Sequence, residues 1–460
     1  MIVETPKGRV YRRFFNANTG KVANSLTDAY AGEPFSQKSL TWYLSIGYVP
    51  GDLTLFENIF CLPGGAKCEV QVGGYKVLDR FYYEDLIDKD KYKDCNREEL
   101  LREAHEILLK VVESEFKKDP NMALALTGGL DSRLLLGALL EITDAKKINT
   151  FSWGFKDTYD FEIGKNISKS IGIAHRSYDL MSLPFGNHEL ELFCKVSDAS
   201  TNFFDAPPYQ SILNDFYDHT IWYGVLGGAA SGVNLPYSSL ESPETFFLRT
   251  EKSRVGVLSD LAYSVLGESI NVEDVLLLIS DYKNRNYDMI DIYNHHERLI
   301  GSTLFFGDHK YSIPFASDEW LGLFLSIDPM HRGITREFLK HLICQKYRFL
   351  SKFPSANNHG MGVKSTKSEY LLFKVKQAFT NKGKNRMRKK FLSIEDVVTG
   401  TKATAFDPQF LLPALNNVIA GGGHFLTLLL QEVGNKRLSH WKSIELLLSL
   451  AVTEKVYSRK

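Results

Sequence analysis

The sequence has few cysteines: there are five among its 460 residues, and the number is odd. Cys61 and Cys68 are the one closely spaced pair, and no spacing fits a zinc site. A disulfide-stabilised extracellular domain is therefore excluded. The first residues also lack the pattern of a signal peptide, so we expect reduced thiols and a cytoplasmic location.

Net charge and long apolar runs are absent as well. The 55 Lys and Arg are balanced by 55 Asp and Glu, which excludes a general attraction to nucleic acid or anionic lipid. The longest apolar run, residues 418–430, is interrupted by three glycines and His424 and is too short to span a bilayer. The remaining composition, 44% apolar and 24% charged, is typical of a globular protein of two or three domains.

The clearest signal lies in residues 122–136, which read MALALTGGLDSRLLL. The apolar residues 122–126 predict a buried strand, Gly128 and Gly129 predict a turn, and the leucines that follow predict a helix. A strand that turns directly into a helix points backbone N–H groups and the positive end of the helix dipole at one place. The pattern therefore predicts a phosphate-binding loop, and a tight turn that serves geometry alone is the alternative.

The spacing differs from the two commoner glycine-rich phosphate loops, because it has neither a third glycine nor a lysine just after the turn. It resembles the pyrophosphate loop, Ser/Thr-Gly-Gly-x-Asp-Ser, of enzymes that cleave ATP between its α- and β-phosphates and transfer the adenylyl group. The resemblance implies hydroxyl donors from Thr127 and Ser132, close approach of phosphate oxygens at Gly128 and Gly129, and Mg²⁺ bound by Asp131.

A second motif lies in residues 40–65, where Gly47-Tyr-Val-Pro50 leads into Thr54-Leu-Phe56 and then into Leu-Pro-Gly-Gly. It resembles the end of the glutaminase domain of asparagine synthetases. Because the pyrophosphate loop follows in the same order as in that family, the chain is identified as similar to the asparagine synthetase family over residues 40–354. In the family, glutamine is hydrolysed by a cysteine after the initiator Met, and this chain has Ile2 there.

The region before Leu40 is also shorter than a full glutaminase. We therefore expect residues 1–90 to form a truncated, inactive glutaminase-like β domain without glutamine hydrolysis. Residues 10–15, 44–49 and 68–72 are predicted to be its short strands.

Residues 91–370 are predicted to form the ATP-binding synthetase domain. Asn96 to Glu99 is a capping box for a helix, residues 146–154 predict a second strand, and residues 160–171 predict a helix that packs on the sheet. His175 follows this helix, and the sequence allows two interpretations of it: a structural role or a place in the site. The resemblance implies an α/β fold with a parallel-sheet pyrophosphate-loop domain, similar to the adenine nucleotide alpha hydrolases.

The third nucleotide element of the family matches residues 221–232, with one important departure. Its glycines are present, but Gly228 and Ala229 replace the acidic pair that helps to hold magnesium and pyrophosphate. Asp131 would then face the metal largely alone. The lysine that faces the acyl-adenylate in the family aligns with Arg336, which cannot readily transfer a proton.

Residues 371–460 are predicted to form a helical C-terminal extension. Residues 374–390 contain eight positive side chains and no acidic one, which indicates either a solvated helical face or weak contact with an anionic surface. Further upstream, an aromatic group is predicted to belong either to the core or to the lining of an acceptor pocket. It comprises Phe305, Phe306, Tyr311, Phe315 and Trp320.

The resemblance implies an ATP-dependent, AMP-forming ligase that adenylates a carboxylate and transfers it to ammonia or an amine, as in asparagine biosynthesis. ATP and Mg²⁺ would be its cofactors, and no nucleic acid would be bound. Two alternatives stay open: a degenerate nucleotide-binding or scaffold protein without turnover, and adenylation for a sulfur acceptor. The implied site comprises Asp131 and Arg336 as catalytic residues, Asp131 as metal ligand, and Thr127, Gly128, Gly129, Leu130, Asp131, Ser132, Phe151, Gly154 and Gly224 as nucleotide-binding residues.

Overall fold

The computed structural model describes residues 1–154, 156, 158–180, 182, 187–231, 241–255, 261–307, 309–332, 336–358, 360–364, 368, 371–372, 424–425 and 441–458. Within these ranges, no helix is both long and apolar enough to cross a membrane. All five cysteines are described, and all five are free thiols. The basic residues 374–390 and the glycines 421–423 lie outside the described residues.

Eleven strands are found in the described ranges. They are β1 (Ile2–Glu4), β2 (Phe14–Asn16), β3 (Val22–Ala23), β4 (Ile59–Cys61), β5 (Ala66–Gln71), β6 (Gly74–Arg80), β7 (Met122–Ala125), β8 (Asn149–Gly154), β9 (Ala174–Asp179), β10 (Thr220–Trp222) and β11 (Tyr311–Ser312).

The described α-helices are α1 (Leu26–Ala29), α2 (Gln37–Ile46), α3 (Arg97–Lys118), α4 (Asp131–Ile142), α5 (Tyr159–Ile171), α6 (Asn187–Val196), α7 (Tyr209–Asp215), α8 (Gly227–Ala230), α9 (Pro243–Val255), α10 (Leu261–Leu266), α11 (Val272–Leu278), α12 (Tyr287–Ile290), α13 (Gly301–Leu304), α14 (Asp318–Ser326), α15 (Pro329–Arg332), α16 (Glu337–Lys346) and α17 (Trp441–Ser458). A π-helix spans Asp291–Ile300. Short 3₁₀ turns comprise Lys7–Arg9, Tyr83–Leu86, Ala145–Lys147, Phe203–Asp205, Pro314–Ala316, Leu350–Lys352 and Ala356–Asn358.

The centre of the molecule is a parallel five-stranded sheet in the order β11-β10-β7-β8-β9. In the register, Leu124 of β7 lies beside Thr150 of β8 on one side and Trp222 of β10 on the other. Every residue of β7 is buried, as expected for a central strand covered on both faces. The predicted mixed α/β fold with a parallel sheet is confirmed.

Helix α3 begins where the sequence predicts. The Asn96 side chain accepts hydrogen bonds from the backbone N–H groups of Glu98 and Glu99, and the Glu99 side chain accepts from the Asn96 N–H. This capping box satisfies N–H groups that the helix itself cannot satisfy. The apolar side of α3, which includes Leu101 and Leu108, is buried in the same core as β7 and α4.

Helix α5 packs unusually closely against the end of β7. Gly164 lies so near the backbone of Leu126 that an added Cβ would overlap the Leu126 carbonyl oxygen. The helix ends at Gly172, whose φ of 80° is a left-handed conformation that glycine adopts without strain. This close approach holds the start of the predicted phosphate loop against the sheet.

The N-terminal residues form two small antiparallel sheets, β1-β5-β6 and β3-β2-β4. The predicted strand over residues 44–49 is wrong, because residues 44–46 belong to α2 and that helix ends at Gly47 with a φ of 84°. The tertiary packing of α2 overrides the strand preference of Leu44 and Ile46. The predicted strands over 10–15 and 68–72 correspond in part to β2 and β5.

The last described helix, α17, packs against the N-terminal part of the chain. The Tyr457 ring lies 4.7 Å from the ring of Phe56, its hydroxyl is 3.1 Å from that of Thr27, and Glu445 accepts a hydrogen bond of 2.8 Å from Asn202. The end of the chain is therefore part of the core that surrounds β2 and α2. The domain boundaries at residues 90 and 370 stay predictions.

Candidate functional site

The predicted phosphate loop, residues 127–132, lies at the carboxyl end of the central strand β7. The chain continues from β7 to β8 on one side, and β10 lies on the other side, so the strand order reverses between β7 and β10. In open α/β sheets, ligands bind outside the carboxyl ends of the strands at such a reversal. The predicted phosphate loop is thus at the position where this sheet architecture favours ligand binding.

The loop is ordered by its own hydroxyl groups. The Thr127 N–H donates to the Ser132 hydroxyl oxygen at 3.1 Å, and the Gly129 N–H donates to the Thr127 hydroxyl oxygen at 3.2 Å. The two hydroxyl oxygens are 3.3 Å apart. Two of the loop amides are therefore already satisfied. One hydroxyl proton lies in the bond between Thr127 and Ser132, and the other hydroxyl proton can be donated to a bound anion.

Helix α4 starts directly after this loop and has no side-chain cap. Its N-cap residue, Leu130, is fully buried and makes no capping hydrogen bond from its side chain. The first N–H groups of a helix have no partner within the helix, and a bound anion can satisfy them and interact with the helix dipole. The start of α4 at Asp131 and Ser132 is therefore suited to an anionic group.

Close packing of Ile163 and Ala356 against the loop requires a glycine at position 128. An added Cβ would lie 2.9 Å from the Cδ1 atom of Ile163 and 3.0 Å from the Cβ atom of Ala356. The Gly128 carbonyl accepts a hydrogen bond of 2.9 Å from the N–H of Ala356. The loop is thus held between α5 and the 3₁₀ turn at Ala356–Asn358.

Gly224 and Gly227, which follow β10, close the other side of the loop. An added Cβ at Gly224 would lie 2.9 Å from the Cβ atom of Asp131 and 3.1 Å from the N atom of Ser132. At Gly227 it would overlap the Asp131 carboxylate and lie 2.8 Å from the ring of Phe315. Only glycine fits at both positions, so the structure brings the first and third predicted nucleotide elements into contact.

The Asp131 carboxylate is paired with the Arg336 guanidinium group. The Nη2 atom of Arg336 forms an ion pair with the Oδ1 atom of Asp131. The Nε atom of Arg336 donates a hydrogen bond of 3.1 Å to the Ser231 hydroxyl. The Arg336 side chain is 6% exposed and that of Asp131 is 22% exposed. Arg336 also adopts a φ of 63°, a left-handed conformation that is costly for a residue with a Cβ.

The described residues are a poor fit for a magnesium ion held by the protein itself. Asp131 brings one carboxylate, and that carboxylate already has a cationic partner. Gly228, at a position of the expected acidic pair, accepts a hydrogen bond from Ser231 through its carbonyl and has no charge to offer. Within the described part of the chain, the one group of three metal-ligating side chains lies elsewhere, at Glu251, Asp291 and His295.

Comparisons with known proteins address the same region. Residues 103–198 match the family model described as Asparagine synthase. We refer to these matched residues as the asparagine synthase segment, after the name of that model. A protein of Methanocaldococcus jannaschii that carries the name of a glutamine-hydrolyzing asparagine synthetase is 27% identical to this chain over 128 residues. The match covers 28% of this chain and 24% of that protein, so the chain matches only about a quarter of the relative's length.

The asparagine synthase segment contains β7, the loop, α4, β8, α5, β9 and α6. It therefore includes the six loop residues 127–132, whereas Gly224 and Arg336 come from parts of the chain beyond it. The similarity to asparagine synthetases that the sequence predicts is confirmed by the family match and the relative. The individual roles of the site residues stay predictions.

Two further predicted binding residues of this segment lie on β8. The Phe151 ring is buried and packs 5.5 Å from the ring of Phe216, while its carbonyl oxygen accepts a hydrogen bond of 2.8 Å from the Leu126 N–H. Gly154 ends β8 with a φ of 147°, and its carbonyl accepts from the Leu180 N–H at 3.0 Å. The described contacts of Phe151 thus position β7 and leave its nucleotide contact a prediction.

His175 has a structural environment in this segment. Its Nδ1 atom is 2.9 Å from the Thr150 hydroxyl, and its Nε2 atom is 3.2 Å from the Ser152 hydroxyl. Burial, and secondarily the charge of Lys165, lowers the pKa of His175 to about 4. The imidazole is therefore neutral near neutral pH and links β8 to β9, as the structural interpretation predicts.

Arg133 has a structural role that the sequence does not predict. This residue is fully buried and donates hydrogen bonds from its Nη1 atom to the carbonyl oxygens of Leu350 at 3.2 Å and Phe353 at 3.0 Å, and from Nη2 to that of Pro354. Burial lowers the pKa of its guanidinium group to about 10. Arg133 thereby fixes the segment that leads to Ala356. In the sequence, this role is indicated only by the presence of a charged residue among the apolar residues of the helix.

The aromatic group proposed for an acceptor pocket lies in the core. Phe305, Phe306, Phe315 and Trp320 are at most 2% exposed. The Tyr311 hydroxyl accepts a hydrogen bond of 2.8 Å from the Phe306 N–H. The core interpretation is confirmed for these side chains.

Proposed function

We propose that the chain is an ATP-dependent, AMP-forming ligase with a pyrophosphate-loop fold similar to that of asparagine synthetases. The observation that carries the proposal is the uncapped start of α4 beside the Thr127–Ser132 loop, at the reversal of strand order and inside the asparagine synthase segment. The substrates would be a carboxylate and either ammonia or an amine, with no nucleic acid involved.

In the proposed first step, a carboxylate oxygen of the substrate attacks the α-phosphorus of ATP. The bond between this phosphorus and the bridging oxygen breaks, and pyrophosphate leaves with the electron pair. The amine then attacks the acyl carbon, the bond between this carbon and the AMP oxygen breaks, and AMP leaves with the electron pair. The nitrogen loses one proton to water, and an amide is formed. The loop would stabilise the departing pyrophosphate with the N–H groups at the start of α4 and the hydroxyls of Thr127 and Ser132.

Arg336 is proposed to act as the cationic group of the site. Its guanidinium group can form bidentate hydrogen bonds to phosphate oxygens. Because Arg336 already contacts Asp131, we expect it to lie within reach of an anion bound at the loop. Magnesium, if it accompanies ATP, would be held by phosphate oxygens and water more than by protein carboxylates.

Glutamine hydrolysis is not part of the proposal. The resemblance places Ile2 at the position of the family cysteine, and Ile2 lies in β1 and pairs with Glu69 of β5. Ile2 has no nucleophilic atom, so the chain would use free ammonia or an amine supplied by the second substrate.

Exchange of labelled pyrophosphate into ATP tests the proposal, with a panel of carboxylic acids that includes aspartate. We expect exchange that depends on one acid, and loss of at least about 100-fold in Asp131→Asn because the site loses the charge that positions Arg336. Asp144→Asn is the matched control, since Asp144 caps a 3₁₀ turn beyond the other end of α4. Full exchange by Asp131→Asn would refute the assignment.

One observation favours the second candidate, a nucleotide-binding protein without turnover. The ion pair of Asp131 with Arg336 and the close packing of Gly227 leave the carboxylate with a partner before any ligand binds. This candidate would be supported by tight ATP binding together with no exchange of pyrophosphate into ATP, whichever carboxylic acid of the panel is added. The proposed weak contact of residues 374–390 with an anionic surface is independent of both.

A further inference from the structure

A cluster of metal-ligating side chains lies apart from the proposed ATP site, between α9 and the π-helix. Glu251 belongs to α9, and Asp291 and His295 belong to the π-helix. One carboxylate oxygen from each acid and one ring nitrogen of His295 all lie within 4.8 Å of one another. The His295 Nδ1 atom is 3.4 Å from a carboxylate oxygen of Glu251.

The two carboxylates of this cluster are removed from water. Glu251 is fully buried and Asp291 is 1% exposed, while the His295 side chain is 13% exposed. Two buried carboxylates close to each other repel and lose their hydration, so their burial is costly unless positive charge balances them. The partial exposure of His295 leaves a side from which a small cation can enter.

The surroundings of Asp291 hold its carboxylate in place. The Tyr287 hydroxyl donates a hydrogen bond of 3.4 Å to Oδ1, and the Nε2 atom of His296 lies 3.3 Å from Oδ2. Partners of this kind orient ligands in metal sites. The backbone adds a second indication, because π-helical turns are rare and are frequently found at functional sites.

We propose that Glu251, Asp291 and His295 bind a divalent transition-metal cation of the zinc class. One imidazole nitrogen with two carboxylate oxygens suits Zn²⁺ and its neighbours, whereas Mg²⁺ and Ca²⁺ prefer oxygen ligands throughout. Ligand atoms about 2.1 Å from a tetrahedral ion lie about 3.4 Å apart. The His295 Nδ1 atom and the Glu251 oxygen are 3.4 Å apart, and all three ligand atoms lie within 4.8 Å of one another, so a closing movement of at most about 1.4 Å completes the site.

The role of the ion would be to hold α9 to the π-helix. The π-helix in turn holds the N-terminal part of the chain: Arg298 donates to the carbonyl oxygens of Val49 and Leu53, and the Asn294 side chain accepts from the Gly51 N–H. Zinc binding is therefore expected to stabilise the junction between residues 49–53 and the helices, independently of ATP.

Titration calorimetry of the EDTA-treated full chain with Zn²⁺ tests the proposal. We expect one equivalent to bind tightly, and Glu251→Gln to weaken binding by about 100-fold or more, since it removes a charged ligand. Glu141→Gln is the matched control, because Glu141 forms a surface pair with His105 at 2.9 Å without a second carboxylate. Equal affinity of the unaltered chain and Glu251→Gln, or no binding to the unaltered chain, would overturn the proposal.

Two measurements on the unaltered chain keep the test decisive even if Glu251→Gln fails to fold. The absorption spectrum of the Co²⁺-loaded chain is expected to show ligand-field bands without a thiolate charge-transfer band. A thiolate band would assign the ion to a cysteine and overturn the proposal. Mg²⁺ in excess is expected not to displace Zn²⁺ from the site. Displacement of Zn²⁺ by Mg²⁺ would contradict the assignment to a cation of the zinc class.

Discussion

At the scale of single residues, the pairing of Asp131 with Arg336 determines the charge that the loop presents. The two residues are 205 positions apart in the sequence, and no local pattern predicts their contact. The motif predicts that Asp131 is available for a metal, whereas the structure places a guanidinium group on its carboxylate. The positive φ of Arg336 indicates that its surroundings hold the backbone in this conformation against a local cost.

A double-mutant cycle tests this pairing. Replacing Arg336 by Gln leaves the Asp131 carboxylate without its cation and is expected to reduce the free energy of unfolding by about 1–3 kcal/mol. When Asp131 is already Asn, the same replacement is expected to cost less, because the residues are coupled. Urea unfolding of the four proteins measures the difference, and strictly additive effects would show that the contact contributes nothing.

His175 gives the stability of the fold a pH dependence. Its pKa is about 4 in the folded chain, mainly because of burial, and about 6.5 when unfolded. The unfolded state therefore binds more protons between these values, so stability decreases as pH falls from about 6.5 to about 4. In His175→Asn this part of the decrease, at most about 3.4 kcal/mol, is expected to disappear, as urea unfolding across that range would show. An unchanged pH profile would contradict the assignment.

At the scale of elements, the sequence predicts best where a local rule decides the outcome. The capping box at Asn96 and the apolar residues of β7 are predicted almost at their observed bounds, because both signals lie within a few residues. Residues 44–49 are assigned wrongly, since short apolar runs fit a strand and a buried helix equally well. The role of Arg133 cannot be predicted from local sequence, because the carbonyl groups that accept its hydrogen bonds are more than 200 residues away.

The contact of α5 with β7 predicts a large effect of one added methyl group. In Gly164→Ala the Cβ would overlap the Leu126 carbonyl oxygen, so the helix has to move away from the loop. We expect a loss of at least about 2 kcal/mol in unfolding free energy, together with weaker ATP binding. Gly74→Ala is the control, because a Cβ there meets no atom within 4 Å. Equal stability of the two variants would argue against this close approach.

At the scale of the whole molecule, the ends of the chain share one core. Helix α17 contacts the N-terminal residues through Tyr457, which packs on Phe56 at 4.7 Å and on Tyr30 at 4.8 Å. Residues 371–460 are predicted to be an extension, and helical periodicity does not reveal which surface a helix covers. The described helix α17 packs in the same core as β2, α2 and α6, while the boundary at residue 370 stays a prediction.

Shortening Tyr457 tests this integration. Tyr457→Ala removes a ring that is 2% exposed and is expected to reduce the unfolding free energy by about 3–5 kcal/mol. Tyr457→Phe removes only the hydroxyl beside Thr27 and is expected to cost about 1 kcal/mol. Denaturant unfolding followed by fluorescence measures both. If Tyr457→Ala is as stable as Tyr457→Phe, the helix is not part of the core.

Binding of ATP phosphates by the loop can be seen directly in a structure of crystals soaked with a non-hydrolysable ATP analogue. We expect the β- and γ-phosphate oxygens to lie within hydrogen-bond distance of the N–H groups at the start of α4 and of the hydroxyls of Thr127 and Ser132. An analogue bound elsewhere, with the Thr127–Ser132 loop empty, would contradict it.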